Sequence, residues 1–451
     1  MSNRGMLIRN AIVAALGGLL FGFDTAVISG TTDALRSIFE LDSQSLGFTV
    51  ASALIGTIVG AAFVGKPADW IGRKKVLIWL AVFYFVSAVG SALAWDWYSF
   101  LLFRFLGGLA VGGASVVSPM YIAEISPARL RGRLVALTQF NIVLGILLAY
   151  LSNYLIARLN LGAVEWRWMF GVEAFPAAAF FFLLFANPFS PRWLIANGRI
   201  EEARGILARL GTDTGSVDEE VNRIEQSINL EKHTLREPFD VQKYFKPISL
   251  AVLIAMFNQL SGINAILYYA PNVFKMAGAG AESAMLQSVL IGFTNLVFTM
   301  IALAIIDHFG RKKLMLVGSI GYIISLGAAA GAFYTYGTNF TPLGGQIVLA
   351  AIVVFIASHA FGQGAVIWVF ISEIFPTRVR ARGQALGSFT HWIMAAAISW
   401  TFPLIADKLG AGQVFTFYAA MMVLQLFWVL FAMPETKGIP LEDIQKKLGI
   451  E

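Results

Sequence analysis

The chain runs to 451 residues, of which 57% are hydrophobic and 13% charged. A soluble domain carries about twice that charged share, so the composition excludes an ordinary water-soluble globule and points to a membrane protein. The absence of cysteine excludes disulfides and thiolate metal sites. The net charge of +6 is scattered between apolar runs and forms no basic surface of the kind nucleic acid needs.

A helix crossing a bilayer needs roughly 20 mostly apolar residues, because hydrocarbon offers no water to satisfy the backbone. Twelve stretches meet that requirement, at about 9–30, 47–66, 74–95, 98–120, 134–156, 167–187, 247–272, 284–306, 313–334, 345–371, 384–406 and 412–433. The first contains AIVAALGGLLFGFDTAVISG (11–30), interrupted by one full charge, Asp24. It is too long for the apolar core of a cleavable leader and carries that charge, so it reads as a retained helix. Arg104 in the fourth stretch and Glu173 in the sixth are also ionisable. Charges at such depth are expensive and by default mark function; the structural alternative is a static Asp24–Arg104 pair that fixes the bundle.

Short cytoplasmic loops carry the excess of Lys and Arg. With the N-terminus inside, 27 of the 33 basic residues face the cytoplasm, 5 face outward and 1 lies within a span. Both termini are therefore expected on the cytoplasmic side. The longest polar stretch, 188–246, has apolar residues at helical spacing (Ile200, Ala203, Ile206, Leu207, Leu210) and reads as short amphipathic surface helices. It divides the chain into an N-terminal six-helix bundle (1–187), a helical linker (188–246), a C-terminal six-helix bundle (247–433) and a cytoplasmic tail (434–451).

The two halves echo each other. GKPADWIGRKK (65–75) follows the second stretch and IIDHFGRKK (305–313) the eighth, while YIAEISPARLRGR (121–133) ends the fourth and FISEIFPTRVRARG (370–383) the tenth. Duplicated bundles are the usual scaffold of a rocking transporter. The charged residues at these helix ends are Asp69, Arg73, Glu124 and Arg131, then Asp307, Arg311, Glu373 and Arg380. Pairs there can be made in one conformation and broken in another, which lets them bias the equilibrium between states.

D-x-x-G-R-K in both halves, E-x(6)-R after the fourth and tenth stretches, SPRWL (190–194) and PETKG (434–438) together resemble the sugar porters of the major facilitator superfamily. The resemblance covers nearly the whole chain and implies an all-α fold of twelve spans in two bundles, with Glu435 joining the gating charges. The chain departs from the family at Trp70 and His308, where Arg is usual, and at Arg380-Ala381-Arg382, where the family commonly has an Arg-Gly pair. Phe189 stands where the family's PESPR motif has an acid, and an altered balance of states is expected there.

A sugar presents uncharged hydroxyls all round, so its site needs amides, which donate and accept, and an aromatic plate. Gln139, Asn258, Gln259, Asn264 and Asn295 lie within spans, where the bland alternative is interhelical glue. FNQLSGINAILYYAP (257–271) contains Gly262 and Pro271, which weaken a helix, and a broken helix at mid-membrane is a common way to build a transport site. By the resemblance, Gln259, Asn264 and Asn258 bond sugar hydroxyls, Tyr268 and Tyr269 close the site from outside, and Trp368 lies beneath the sugar. His391 and Trp392 match a pair that is usually Asn or Gln followed by Trp. Ala365 replaces a common Pro, leaving the local bend open. Phe21, on the face of Asp24, is expected to border the cavity. Ile146, two turns beyond Gln139, resembles glucose carriers and leans toward a hexose over a pentose.

The family's proton symporters have Asp at the position of Asp24, Arg at that of Arg104 and an acid at that of Glu173. The resemblance thus implies a carrier that imports a monosaccharide with protons. A facilitative uniporter of the same fold and, less so, a sugar sensor are the alternatives. Nothing suggests an enzyme, a cofactor, a metal site or an obligate protein partner; the expected partners are a monosaccharide, protons and the lipid bilayer. Short loops and termini favour a bacterial inner membrane.

Overall fold

The computed structural model describes residues 3–211, 216–234, 239–376, 379–439 and 441–450, and every regular element among them is helical. Among the described residues, twelve helical segments are long and apolar enough to cross a membrane: Gly5–Gly30, Ser43–Phe63, Arg73–Ala92, Trp97–Ile125, Ala128–Ala157, Gly162–Phe185, Phe245–Tyr268, Ala281–Ile306, Arg311–Tyr336, Pro342–Ile374, Arg380–Leu409 and Ala411–Phe431. We number them spans 1 to 12. They follow the twelve expected stretches in order. Span 5 starts at Ala128 rather than near 134, and span 11 at Arg380 rather than near 384. Arginine is a good helix former, so a charged run that ends the apolar window need not end the helix.

Three spans are interrupted, each for an identifiable reason. In span 6 the helix stops at Gly171 and resumes at Ala174, two residues before Pro176, whose missing N–H leaves the ladder one bond short. Span 7 breaks between Leu260 and Ile263, where Gly262 has φ +85°, a left-handed conformation that suits a residue without Cβ. Span 10 breaks at Gly362, between the helices Pro342–Phe361 and Gln363–Ile374. The bend left open by Ala365 is thus supplied three residues earlier. Span 4 opens with a reciprocal cap: the Ser99 N–H donates to Asp96 Oδ1 at 2.7 Å and the Asp96 N–H to Ser99 Oγ at 3.2 Å.

The chain forms two compact units. The first comprises Met1–Thr25, Ile55–Ala149 and Arg167–Arg236; the second comprises Ala26–Leu54, Tyr150–Trp166 and Glu237–Glu451. In the first, spans 1 and 5 approach so closely at Gly22 that a Cβ there would lie 1.9 Å from the Ile142 carbonyl oxygen. The linker forms the helices Pro191–Ala196, Ile200–Leu210 and Val217–Thr234. Ala203, Ile206, Leu207 and Leu210 turn inward, as their spacing predicts, and join a core with Trp193, Leu194 and Val221.

In the second unit, ion pairs cluster at the end away from the charge motifs. Arg36 meets Asp407 at 3.0 Å, Lys275 meets Asp33 at 2.6 Å and Arg158 meets Glu282 at 3.4 Å. Deeper in the same unit Tyr150 donates to the Leu267 carbonyl at 2.7 Å and Asn153 to that of Val27 at 2.9 Å.

Candidate functional site

Two buried polar centres and two charge clusters hold most of the residues singled out in the sequence. In the first unit, Arg104 of span 4 donates through Nη1 to Asp24 Oδ1 at 2.6 Å. Its Nη2 reaches Asp24 Oδ2 at 3.3 Å and the Asp24 carbonyl at 3.2 Å. The two side chains are 1% and 3% exposed, so little water shares the pair. Space for the carboxylate comes from Gly107, where a Cβ would lie 3.2 Å from Asp24 Oδ1 and 2.4 Å from Ser87 Oγ. The Phe170 ring stands 5.4 Å from the guanidinium, a cation–π distance. Glu173 is buried within electrostatic reach of both charges, and its Oε1 has no hydrogen-bond partner. A buried carboxyl in that position needs a donor or a proton of its own. Gln139 and Phe21 lie half-buried in the same unit.

The second centre sits at the break in span 7. Gln259 is its hub: Nε2 donates to Asn258 Oδ1 at 2.9 Å, and Oε1 accepts from Asn264 Nδ2 at 2.9 Å. The same Nε2 lies 3.3 and 3.4 Å from the ring nitrogens of His391. His391 in turn packs against Trp368, centroids 5.0 Å apart, and edge-on to Trp392 at 4.9 Å. The left-handed turn at Gly262 brings residues five apart, Gln259 and Asn264, into contact. Trp368 remains 38% exposed, unlike most large side chains around it. Three amides, an imidazole and a partly open indole thus form one connected group of donors, acceptors and apolar plate.

The remaining candidates fall elsewhere. Tyr268 and Tyr269 are buried beyond the break; Tyr269 donates to the Ser399 carbonyl at 3.0 Å and packs on Phe402. Asn295 is 8% exposed and accepts from Thr299 of its own helix at 3.4 Å. The sequence reading missed a second buried amide group, in which Gln363 bonds Gln425 and Gln425 donates to Ser319 at 2.8 Å. The signal was present: two glutamines inside apolar spans, one beside the Gly362 break.

The charge motifs make matching clusters. In the first unit, Arg73 donates through Nε to Glu124 Oε1 at 3.0 Å and pairs with Asp69 at 3.0 Å, while Ser190 donates to Glu124 Oε2 at 2.5 Å. In the second, Arg311 grips Glu373 with bonds of 3.1 and 2.8 Å, and Thr436 donates to Glu373 Oε2 at 2.6 Å. Glu124 therefore bonds Arg73 and Ser190, whereas Arg131, its companion in E-x(6)-R, donates to the backbone carbonyls of Ala123 and Ser126. The Asp307 side chain and residues 377 and 378 lie outside the described residues.

Ser190 and Thr436 occupy equivalent places, so Phe189 corresponds to Glu435. Glu435 accepts from the backbone N–H groups of Arg311 and Lys312 at 3.0 Å each, capping span 9. At the equivalent corner Phe189 stacks on Trp193, with Lys74 at 5.3 Å and Arg199 at 5.5 Å from its ring. A ring facing two cations takes the place of a carboxylate facing two backbone N–H groups.

A family profile described as "Sugar (and other) transporter" matches residues 10–448. The chain belongs to the sugar transporter family. It is 38% identical to the D-xylose-proton symporter of Escherichia coli (strain K12), over 98% of this chain and 96% of that one. It is 38% identical to the glucose transport protein of Synechocystis sp., over 96% and 95%, and 35% identical to the arabinose-proton symporter of Bacillus subtilis, over 98% and 95%. The partially occluded inward open structure of the E. coli xylose transporter XylE superposes with a TM-score of 0.85 at 37% identity, covering 97% of this chain and all of that one. The all-helical twelve-span architecture of this family member is the major facilitator fold, and the chain is a multi-pass membrane protein.

Proposed function

We propose that this sugar transporter carries a monosaccharide into the cell together with a proton by alternating access. The observation that carries the reading is the buried Asp24–Arg104 pair, accompanied by Glu173 with an unpartnered oxygen. An isolated pair held only for packing gains little over apolar residues of the same volume, so a charge pair kept at this depth is best explained by a proton that competes with the arginine. Protonation of Asp24 releases Arg104, and sugar and proton together permit the change of state. Relatives that are proton symporters for xylose and arabinose support the coupling.

Gln259, Asn258, Asn264 and His391 bond the sugar hydroxyls and Trp368 packs on the ring; Gln139 and Asn295 contribute further amides. Tyr268 and Tyr269 act as the outer gate. The substrate is a hexose or pentose, with Ile146 and the glucose-transporting relative favouring a hexose. The charge clusters around Glu124 and Glu373 lie on the cytoplasmic face with both termini, following the basic-residue bias. The membrane is a bacterial inner membrane, and the bundles and linker divide at 188 and 246. The glucose relative, whose name specifies no proton, supports facilitative uniport as the second reading.

Uptake of labelled glucose and xylose into proteoliposomes, with and without an imposed pH gradient, tests substrate and coupling together. In Asp24→Asn, gradient-driven accumulation is expected to vanish while counterflow exchange persists. Unchanged accumulation in that variant would falsify the coupling role of Asp24.

A further inference from the structure

The half-helix that carries Trp368, Gln363–Ile374, begins at the break in span 10. Such a break is a hinge, because a few residues there can absorb a change of backbone angle, and side chains from neighbouring helices must then set the tilt. Span 9 lies against this hinge. Its Gly318 lets the two backbones touch: a Cβ there would lie 3.0 Å from the Gly362 Cα and 3.1 Å from the Ser358 carbonyl oxygen. Before the break, the Tyr322 hydroxyl and His359 Nδ1 share a hydrogen bond of 2.6 Å. After it, Gln363 donates to Gln425 of span 12, which in turn donates to Ser319 of span 9 at 2.8 Å. Ser319, Tyr322, Gln363 and Gln425 are all fully buried, where a hydrogen bond left unmade is costly. Span 9 is thus fastened to span 10 on both sides of one break.

Trp368 stands six residues beyond Gly362, about 9 Å along the helix axis. At that reach a tilt of about 10° at the break moves the indole by about 1.5 Å, more than the roughly 0.5 Å within which a binding group must be held. We propose that span 9 is a splint across the break, and that Tyr322 and Gln425 are positioning residues that hold Trp368 at the depth the sugar ring needs. The inference rests on the reading of Trp368 as the plate beneath the sugar. Tyr322 and Gln425 act through that plate and not on the sugar.

Equilibrium sugar binding to the purified full chain, measured beside its melting midpoint, tests this; the probe is whichever of labelled glucose and labelled xylose the wild type binds more tightly. Tyr322→Phe, which removes one hydroxyl, and Gln425→Met, which keeps the length without the amide, are each expected to weaken binding about fivefold, the worth of one hydrogen bond. In a Trp368→Phe background, whose smaller ring keeps binding measurable, the same changes are expected to cost less than about twofold, because the group they position is already reduced. Gly327→Ala, on the same helix with nothing within 4 Å of the added methyl, is expected to change neither readout. A purely structural role would lower the melting midpoint and leave binding unchanged, or would weaken binding equally in both backgrounds; either result overturns the proposal. Trp368→Ala with wild-type affinity for the probe would instead remove Trp368 from the sugar site, and this inference with it.

Discussion

Gln259 concentrates the chemistry of the second unit in one side chain. It meets Asn258, Asn264 and His391, so its amide is oriented before any sugar arrives. Preorganised donors and acceptors lose less entropy on binding. Truncation to Ala removes hydrogen bonds worth about 1–3 kcal/mol, so Gln259→Ala is expected to raise the transport KM by about 5- to 150-fold. Initial-rate uptake measures this, and an unchanged KM would remove Gln259 from the site. Sequence motifs made these residues legible, because the GIN turn and the amides are adjacent in the chain. Partners from distant helices were not legible: nothing in the spacing of Glu124 and Arg131 says that Glu124 bonds Arg73 instead, since that choice is made by how spans 3 and 4 pack.

At the scale of elements, helix ends and breaks carry the specific information. Glu435 satisfies the first N–H groups of span 9, and Glu435→Ala is expected to cost about 1–2 kcal/mol of stability, read as a lower denaturation midpoint. The Asp96 cap behaves similarly: the Ser99 backbone N–H holds the Asp96 carboxyl below its usual pKa. A depressed carboxylate stabilises the fold above its unfolded pKa and ceases to do so as pH falls through the folded value. Melts of wild type and Asp96→Ala are therefore expected to differ at neutral pH and converge in acid. Close helix approaches give the sharpest contrast. Gly22→Ala would put a methyl 1.9 Å from the Ile142 carbonyl, while Gly132→Ala meets nothing within 4 Å. Folded yield by size-exclusion chromatography is expected to collapse in the first and hold in the second. The twelve spans were legible because bilayer thickness imposes length and apolarity; the exact breaks at Gly171 and Gly362 were not, because glycines are common throughout the spans.

For the whole molecule, the ion pairs at the end away from the motifs are expected to set how readily that end of the second unit opens. Exposed pairs are worth about 0.2–1 kcal/mol each and weaken with salt. Removing two of them with Asp33→Ala and Arg36→Ala is expected to increase opening by roughly 2- to 30-fold. The natural chain contains no cysteine, so Thr31→Cys, buried beside these pairs, gives a single maleimide target. Its labelling rate is expected to rise in the double variant and in high salt; an unaltered rate would show that apolar packing alone holds this end shut. The sequence offered no hint of these contacts, because they join segments more than a hundred residues apart.

The ring at Phe189 leaves the two matching corners unequal in formal charge. An aromatic face attracts Lys74 and Arg199 without adding a negative group of its own, whereas Glu435 brings a carboxylate to the start of span 9. The repeat that relates the two corners is broken there by one acid.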